Sequence, residues 1–130
     1  MSRRMPHLKL EYSTNLDAAV ASPELLLDLH RTLERVAGIT LGNCKSRAIP
    51  APRFVVADGE PGGAFVHLDV RFLEGRPLEV RQALGDALLK RLVDAYGADR
   101  PGLQVTVEIT ESPHATYFKH PAGTLGSPPP

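Results

Sequence analysis

Two stretches sixty residues apart alternate apolar and polar side chains: His7-Leu8-Lys9-Leu10-Glu11-Tyr12 and His67-Leu68-Asp69-Val70-Arg71-Phe72. A period of two sends successive side chains to opposite faces, as in a strand buried on one side. After each stretch the period lengthens to that of a helix. Ser22-Pro23-Glu24 offers an N-cap serine and a proline at the first helical position; Leu25, Leu29, Leu33 and Val36 then recur on one face until Gly38. In the second half Pro77 opens the helix, Val80, Leu84, Leu88 and Leu92 line one side, and Gly97 closes it. Each helix leads into another candidate strand, roughly Ile39 to Ala48 and Leu103 to Thr110, the latter alternating as Leu103, Val105, Val107 and Ile109.

The pattern is two tandem β-α-β units, about residues 5–49 and 64–111, joined by Asp58-Gly59-Glu60-Pro61-Gly62-Gly63. Right-handed crossovers in both units put both helices on one face of a four-stranded sheet, an α/β fold in the two-layer α+β arrangement. Residues 5–120 read as one domain. Residues 1–4 read as an extension that maturation would remove, and residues 121–130, ending Ser127-Pro128-Pro129-Pro130, as a disordered tail.

At 130 residues the chain supports one modest core. A two-layer sheet leaves one face uncovered, and packing it against further copies closes a ring. Fifteen basic and fifteen acidic residues balance, which argues against a nucleic-acid partner and makes any anion recognition local. The single cysteine, Cys44, excludes an internal disulfide framework and fits a reducing cytoplasm. No apolar run approaches the roughly 18 residues of a membrane span, and the polar residues after Met5 do not suit a signal peptide. The expectation is a cytoplasmic protein with no membrane partner.

Met5-Pro6 carries the strongest chemical signal. If Met5 is the start and is trimmed, Pro6 becomes a free secondary amine, a base that no internal residue supplies. Behind Arg4-Met5 the same proline is a tertiary amide without a basic lone pair. The structural alternative is a proline at the first residue of a strand, where its missing N–H costs nothing. Val66 holds the corresponding place in the second unit, so the strand itself does not require proline. A base needs a depressed pKa, which burial and neighbouring cations supply. Lys45 and Arg47, two apart on a strand, aim at one face, although paired basic residues at a strand end are also commonly just solvated. Arg76 directly precedes Pro77, beside the amide end of a helix and so in outline a carboxylate site. It is equally readable as a turn residue in Glu74-Gly75-Arg76-Pro77.

The five histidines lack metal-ligand spacing and Cys44 has no second thiol nearby, so no metal is expected. His7 and His67 match between the units and suit the sheet surface or a subunit contact. There is no nucleophile elbow, and Gly59, Gly62 and Gly63 do not open a helix as a phosphate loop would.

Met5-Pro6-His7-Leu8, Glu11-Tyr12-Ser13-Thr14-Asn15-Leu16, Lys45-Ser46-Arg47, Ala64-Phe65-Val66-His67-Leu68 and Gly75-Arg76-Pro77-Leu78-Glu79-Val80-Arg81-Gln82 together resemble the 5-carboxymethyl-2-hydroxymuconate delta-isomerase family of the tautomerase superfamily. The likeness runs from about Met5 to Lys119. It implies a tautomerase-like β-α-β-β-α-β subunit, a homotrimer, no cofactor, and an amino-terminal proline as general base. Carried over by position, Pro6 shuttles the proton and Arg76 contacts the substrate's carboxylate or developing oxyanion. A second family arginine corresponds to Lys45, which lacks the planar fork, so that Arg47 is the alternative grip. The implied substrate is a small anionic dicarboxylate or tricarboxylate, a 2-hydroxymuconate-type dienol of aromatic catabolism. Two other readings stay open: a catalytically silent trimeric small-acid-binding or structural protein with Pro6 acylated, and another superfamily activity such as hydrolytic dehalogenation.

Overall fold

The computed structural model describes residues 6–120; the expected extension 1–4 and the tail from residue 121 lie outside them. Chain order is β1 (His7–Ser13), a 3-10 turn (Ala18–Val20), α1 (Pro23–Ala37), a 3-10 turn (Leu41–Asn43), β2 (Lys45–Ala51), β3 (Ala64–Leu73), α2 (Leu78–Tyr96), β4 (Leu103–Ser112) and a last 3-10 turn (His114–Thr116).

Local chemistry sets the helix ends. Ser22 Oγ accepts the Leu25 amide at 3.2 Å, Pro23 fills the first helical position, and Gly38 takes the left-handed φ of +66° that closes α1. At α2 the expected opening proline lies one residue outside: Pro77 is the N-cap, without a side-chain acceptor, and the helix starts at Leu78. The second strand departs further from expectation, beginning at Lys45 rather than near Ile39. Ile39 is buried in the core, and Leu41–Asn43 turn as a 3-10 segment before the chain reaches the sheet. Apolar alternation at Ile39 and Leu41 therefore reflects a packed connection, which periodicity alone does not separate from a strand.

The sheet order is β2-β1-β3-β4. β1 pairs with β2, and β3 with β4, in parallel; β1 and β3 join the units antiparallel. Leu8, Leu10, Val66, Leu68, Val70 and Phe72 project to the helix side and are fully buried against Leu29 and Leu33 of α1 and Leu84, Leu88 and Leu92 of α2. Burying each such side chain is worth about 1.5–3 kcal/mol. This is the two-layer, tautomerase-like sheet with both helices over one face.

The opposite face is charged. Lys9 lies across from Asp69 and Glu11 across from His67, with Glu108 beside Asp69 on β4. Ile49, across from Glu11, is an exposed apolar side chain on this otherwise largely charged face. Among the described residues no helix is long and apolar enough to cross a membrane.

One topological consequence matters for chemistry. Because the units join antiparallel, the starts of β1 and β2 share a sheet end with the finishes of β3 and β4. Pro6, Lys45, the loop carrying Arg76 and the segment after Ser112 are all delivered to that end.

Candidate active site

Pro6 stands just ahead of β1, is buried, and accepts the Lys45 amide on its carbonyl at 3.2 Å. Extending the register in which His7 faces Arg71 sets Pro6 across from Phe72. The Phe72 ring in turn lies under the Arg76 guanidinium, 5.2 Å from centroid to Cζ. Val66, by contrast, is inside β3, which begins at Ala64. Sixty-residue spacing matches Val66 to Pro6 in sequence but not in place along the strand.

Lys45 pairs in register with His7 and Arg47 with Lys9, which sets all four side chains on the charged face at the Pro6 end. Lys45 is half-buried and donates from Nζ to the Asn43 carbonyl at 2.7 Å. Burial lowers its pKa, and the nearby Lys119 ammonium lowers it further. Arg47 is exposed. Among the described residues no salt bridge engages Lys9, Lys45, Arg47 or Lys119.

Arg76 is half-buried, and desolvation depresses its pKa against the opposing pull of Glu111. Its Nε donates to the Ala37 carbonyl at 3.1 Å, at the carbonyl end of α1. Placement beside Pro77 suggests a guanidinium reinforcing the amide end of α2; the side chain instead reaches back to α1. Arg81 takes over the α2 side, donating from Nε to the Arg76 carbonyl at 3.2 Å and approaching Glu111 at 3.7 Å.

The segment after β4 also reaches this end, and no sequence spacing announces it. Tyr117 Oη lies 2.9 Å from His7 Nε2, with the two rings edge-on at 6.0 Å. Burial lowers the His7 pKa, and Lys45, Arg47 and Lys9 lower it further, so the imidazole is neutral at neutral pH. Three residues earlier the His114 amide donates to Glu74 Oε2 at 3.0 Å, with His114 Nδ1 3.4 Å from the same oxygen. These two bonds hold the Glu74 pKa down. The segment is thus tied both to the loop carrying Arg76 and to the neighbour of Pro6. Only an aromatic in an aromatic-poor chain marks Tyr117 in the sequence.

Other groups are less suited to chemistry. Burial pushes the Cys44 thiol up to about 11, which keeps it protonated and a poor nucleophile. His30 bonds Ser46 Oγ at 2.8 Å on the helix side of β2. A groove of about 570 Å³ between α2 and β4 is lined by Gln82, Asp86, Leu89 and Val105 with no basic side chain. No group of three metal-ligating side chains occurs among the described residues. What the Pro6 end offers is Lys45 and Arg47 beside a strand start, neither engaged in a salt bridge among the described residues; cations so placed favour an anion and disfavour the protonated form of an amine.

The sequence profile of the family described as 5-carboxymethyl-2-hydroxymuconate isomerase matches residues 6–122. A 5-carboxymethyl-2-hydroxymuconate Delta-isomerase of Escherichia coli is 29% identical over 117 residues, 88% of this chain and 93% of that protein. The crystal structure of a 5-carboxymethyl-2-hydroxymuconate isomerase from Deinococcus radiodurans R1 is 37% identical and superposes with a TM-score of 0.81, over 91% of this chain and 90% of that one. A fused 4-OT solved as a symmetric trimer shares the fold at 21% identity, with a TM-score of 0.71 over 88% of this chain and 92% of that one.

Proposed function

We propose that this chain, which belongs to the 5-carboxymethyl-2-hydroxymuconate isomerase family of the tautomerase superfamily, moves a proton within a 2-hydroxymuconate-type dienol using Pro6 as general base. The observation that carries the reading is the convergence of Pro6, Lys45 and Arg76 on one sheet end, in a chain whose family match starts at residue 6. Uncapped by loss of the residues ahead of it, Pro6 presents a secondary amine. Its neutral nitrogen takes the proton of the enol hydroxyl, leaving a dienolate, and the prolinium returns that proton to the far carbon to give the ketone. The proton balance closes without a co-reactant. Arg76, with Lys45 or Arg47, holds the carboxylates and stabilises charge on the enolate oxygen. A positioned base contributes about 10² to 10⁴ in rate and one charge-stabilising donor about 10² to 10³.

The single domain of residues 5–120 acts, once trimmed to Pro6, as one catalytic unit, working in the cytoplasm as a homotrimer in a step of aromatic-compound catabolism. The trimeric fused 4-OT of the same fold supports the assembly. The family description supports the hydroxymuconate class of substrate.

The test is ketonisation of a 2-hydroxymuconate, followed by absorbance, on protein whose terminus mass spectrometry has verified as Pro6. Pro6→Ala should lower the rate by at least about a hundredfold. A variant rate within a few-fold of wild type removes the proline from the mechanism. Full turnover by a chain that retains residues ahead of Pro6 has the same force. A mature chain beginning ahead of Pro6, inert but able to bind small acids, identifies the silent binding protein instead.

A further inference from the structure

Lys45 is half-buried at the start of β2 and spends one N–H on the Asn43 carbonyl. Lys45 pairs in register with His7, and His7 Nε2 lies 2.9 Å from Tyr117 Oη, so the chain brings half-buried Lys119 to this end only two residues beyond that contact; in keeping with this, the Lys119 charge disfavours the charge on Lys45. Like charges brought to one end, with no salt bridge to either among the described residues, repel, and an anionic ligand relieves that repulsion. The segment that delivers Lys119 is fixed on both sides, by His114 on Glu74 and by Tyr117 on His7. Tyr117 also packs against the core. Lys119 therefore follows a tethered point by two residues, at the end of the sheet where Pro6 sits.

We propose that Lys119 is a substrate-binding residue that grips one carboxylate of the anionic substrate jointly with Lys45, two ammonium groups from separate segments replacing one planar guanidinium. An arginine fork meets both carboxylate oxygens from one side chain. A lysine is a point charge and satisfies one, so a second ammonium supplies the other bond. The Tyr117–His7 clasp makes this workable, because it limits the freedom that a residue in a terminal segment would lose on binding. The clasp also keeps a neutral imidazole against the cations, which adds no further repulsion.

This rests on the isomerase reading for its substrate, yet its test needs no turnover. Protein purified from its native start is titrated calorimetrically with trans,trans-muconate, a dicarboxylate without the enol. Wild type should bind it with an affinity that falls as salt is raised. Lys119→Gln should weaken binding about tenfold or more, as expected for a lost charge-assisted bond, while Lys119→Arg stays within about threefold and thermal melting is unchanged. Wild-type protein that takes up no muconate, a Lys119→Gln variant that binds it equally well, or equal losses in the Gln and Arg variants would each overturn the proposal. A failed Pro6→Ala prediction leaves this result standing, since binding and proton transfer are read separately.

Discussion

At the end of the sheet where β1 and β2 begin, the Pro6 carbonyl takes the Lys45 amide at 3.2 Å; at the opposite end, where β3 and β4 begin, the Gly102 carbonyl takes the Ala64 amide at 3.0 Å. A backbone bond thus closes the strand starts in each unit, with donor and acceptor strands exchanged between the two. What surrounds it differs. Around Ala64 the neighbours are neutral and self-satisfied: Ser13 Oγ accepts the Phe65 amide at 2.9 Å, Asn15 donates to the Gly63 carbonyl at 2.8 Å, and Phe54 meets Phe65 edge-on at 6.3 Å. Gly102, at a φ of +76°, lets the two loops touch, since an added Cβ would come within 3.0 Å of the Gly62 carbonyl oxygen. Around Pro6 stand Lys45 where the other unit has Leu103, then Arg47, Arg76 and Lys119. The two units thus share a scaffold with two similar ends; different side chains and one terminal segment gather cations at one end, and neutral contacts close the other.

The comparison can be broken first at the scaffold. Leu29 of α1 and Leu88 of α2 are both fully buried, so Leu29→Ala and Leu88→Ala should each cost about 2–5 kcal/mol in urea unfolding. A cost confined to one unit would show that the two are not mechanically equivalent. At the chemical end, Arg76→Ala in the protein trimmed to Pro6 should lower ketonisation by about a hundredfold. It should also destabilise the fold slightly, through loss of the bond to Ala37 and the stacking on Phe72. At the sealed end Ser13→Ala should do the reverse: it leaves the half-buried Phe65 amide without its side-chain acceptor, costing about 1 kcal/mol, with the rate constant per folded molecule unchanged.

The smallest effect is on pH dependence and belongs to the cationic end. His7 in the fold lies below its ordinary value of 6.5, from burial and then from Lys45, Arg47 and Lys9. Between the folded and unfolded values the unfolded chain binds more protons, so stability rises with pH across that window. His7 contributes fully above the ordinary imidazole pKa, and its contribution is lost progressively as pH falls below it. His30 shifts in the same direction. Urea midpoints measured from about pH 7.5 down to 5 should decline, and His7→Gln should flatten part of that slope. A slope untouched by His7→Gln would place the acid sensitivity elsewhere.

Much of this architecture was legible along the chain because alternation and helical spacing are local properties. Leu8 and Leu10, Leu25, Leu29 and Leu33, and Leu84, Leu88 and Leu92 all face the core as their periods require. Ser22, Gly38 and Gly97 stop or start helices for reasons internal to those residues. The start of β2 was not legible, because Ile39 and Leu41 alternate like a strand and only pairing against His7 decides that it begins at Lys45.

By itself the sequence determined two β-α-β units, the faces they bury, and the candidates Pro6, Lys45, Arg47 and Arg76, since each depends on spacing within a few residues. Tertiary structure alone decided that Arg76 turns back to Ala37 over Phe72, and that Tyr117 closes on His7 across 110 positions. It also decided that the segment carrying Lys119 comes to the strand end where Lys45 sits. The physical reason is that sequence periodicity encodes which face a side chain takes. Which distant segments share an end of the sheet is set by the antiparallel join of β1 to β3, a pairing that exists only once the chain has folded.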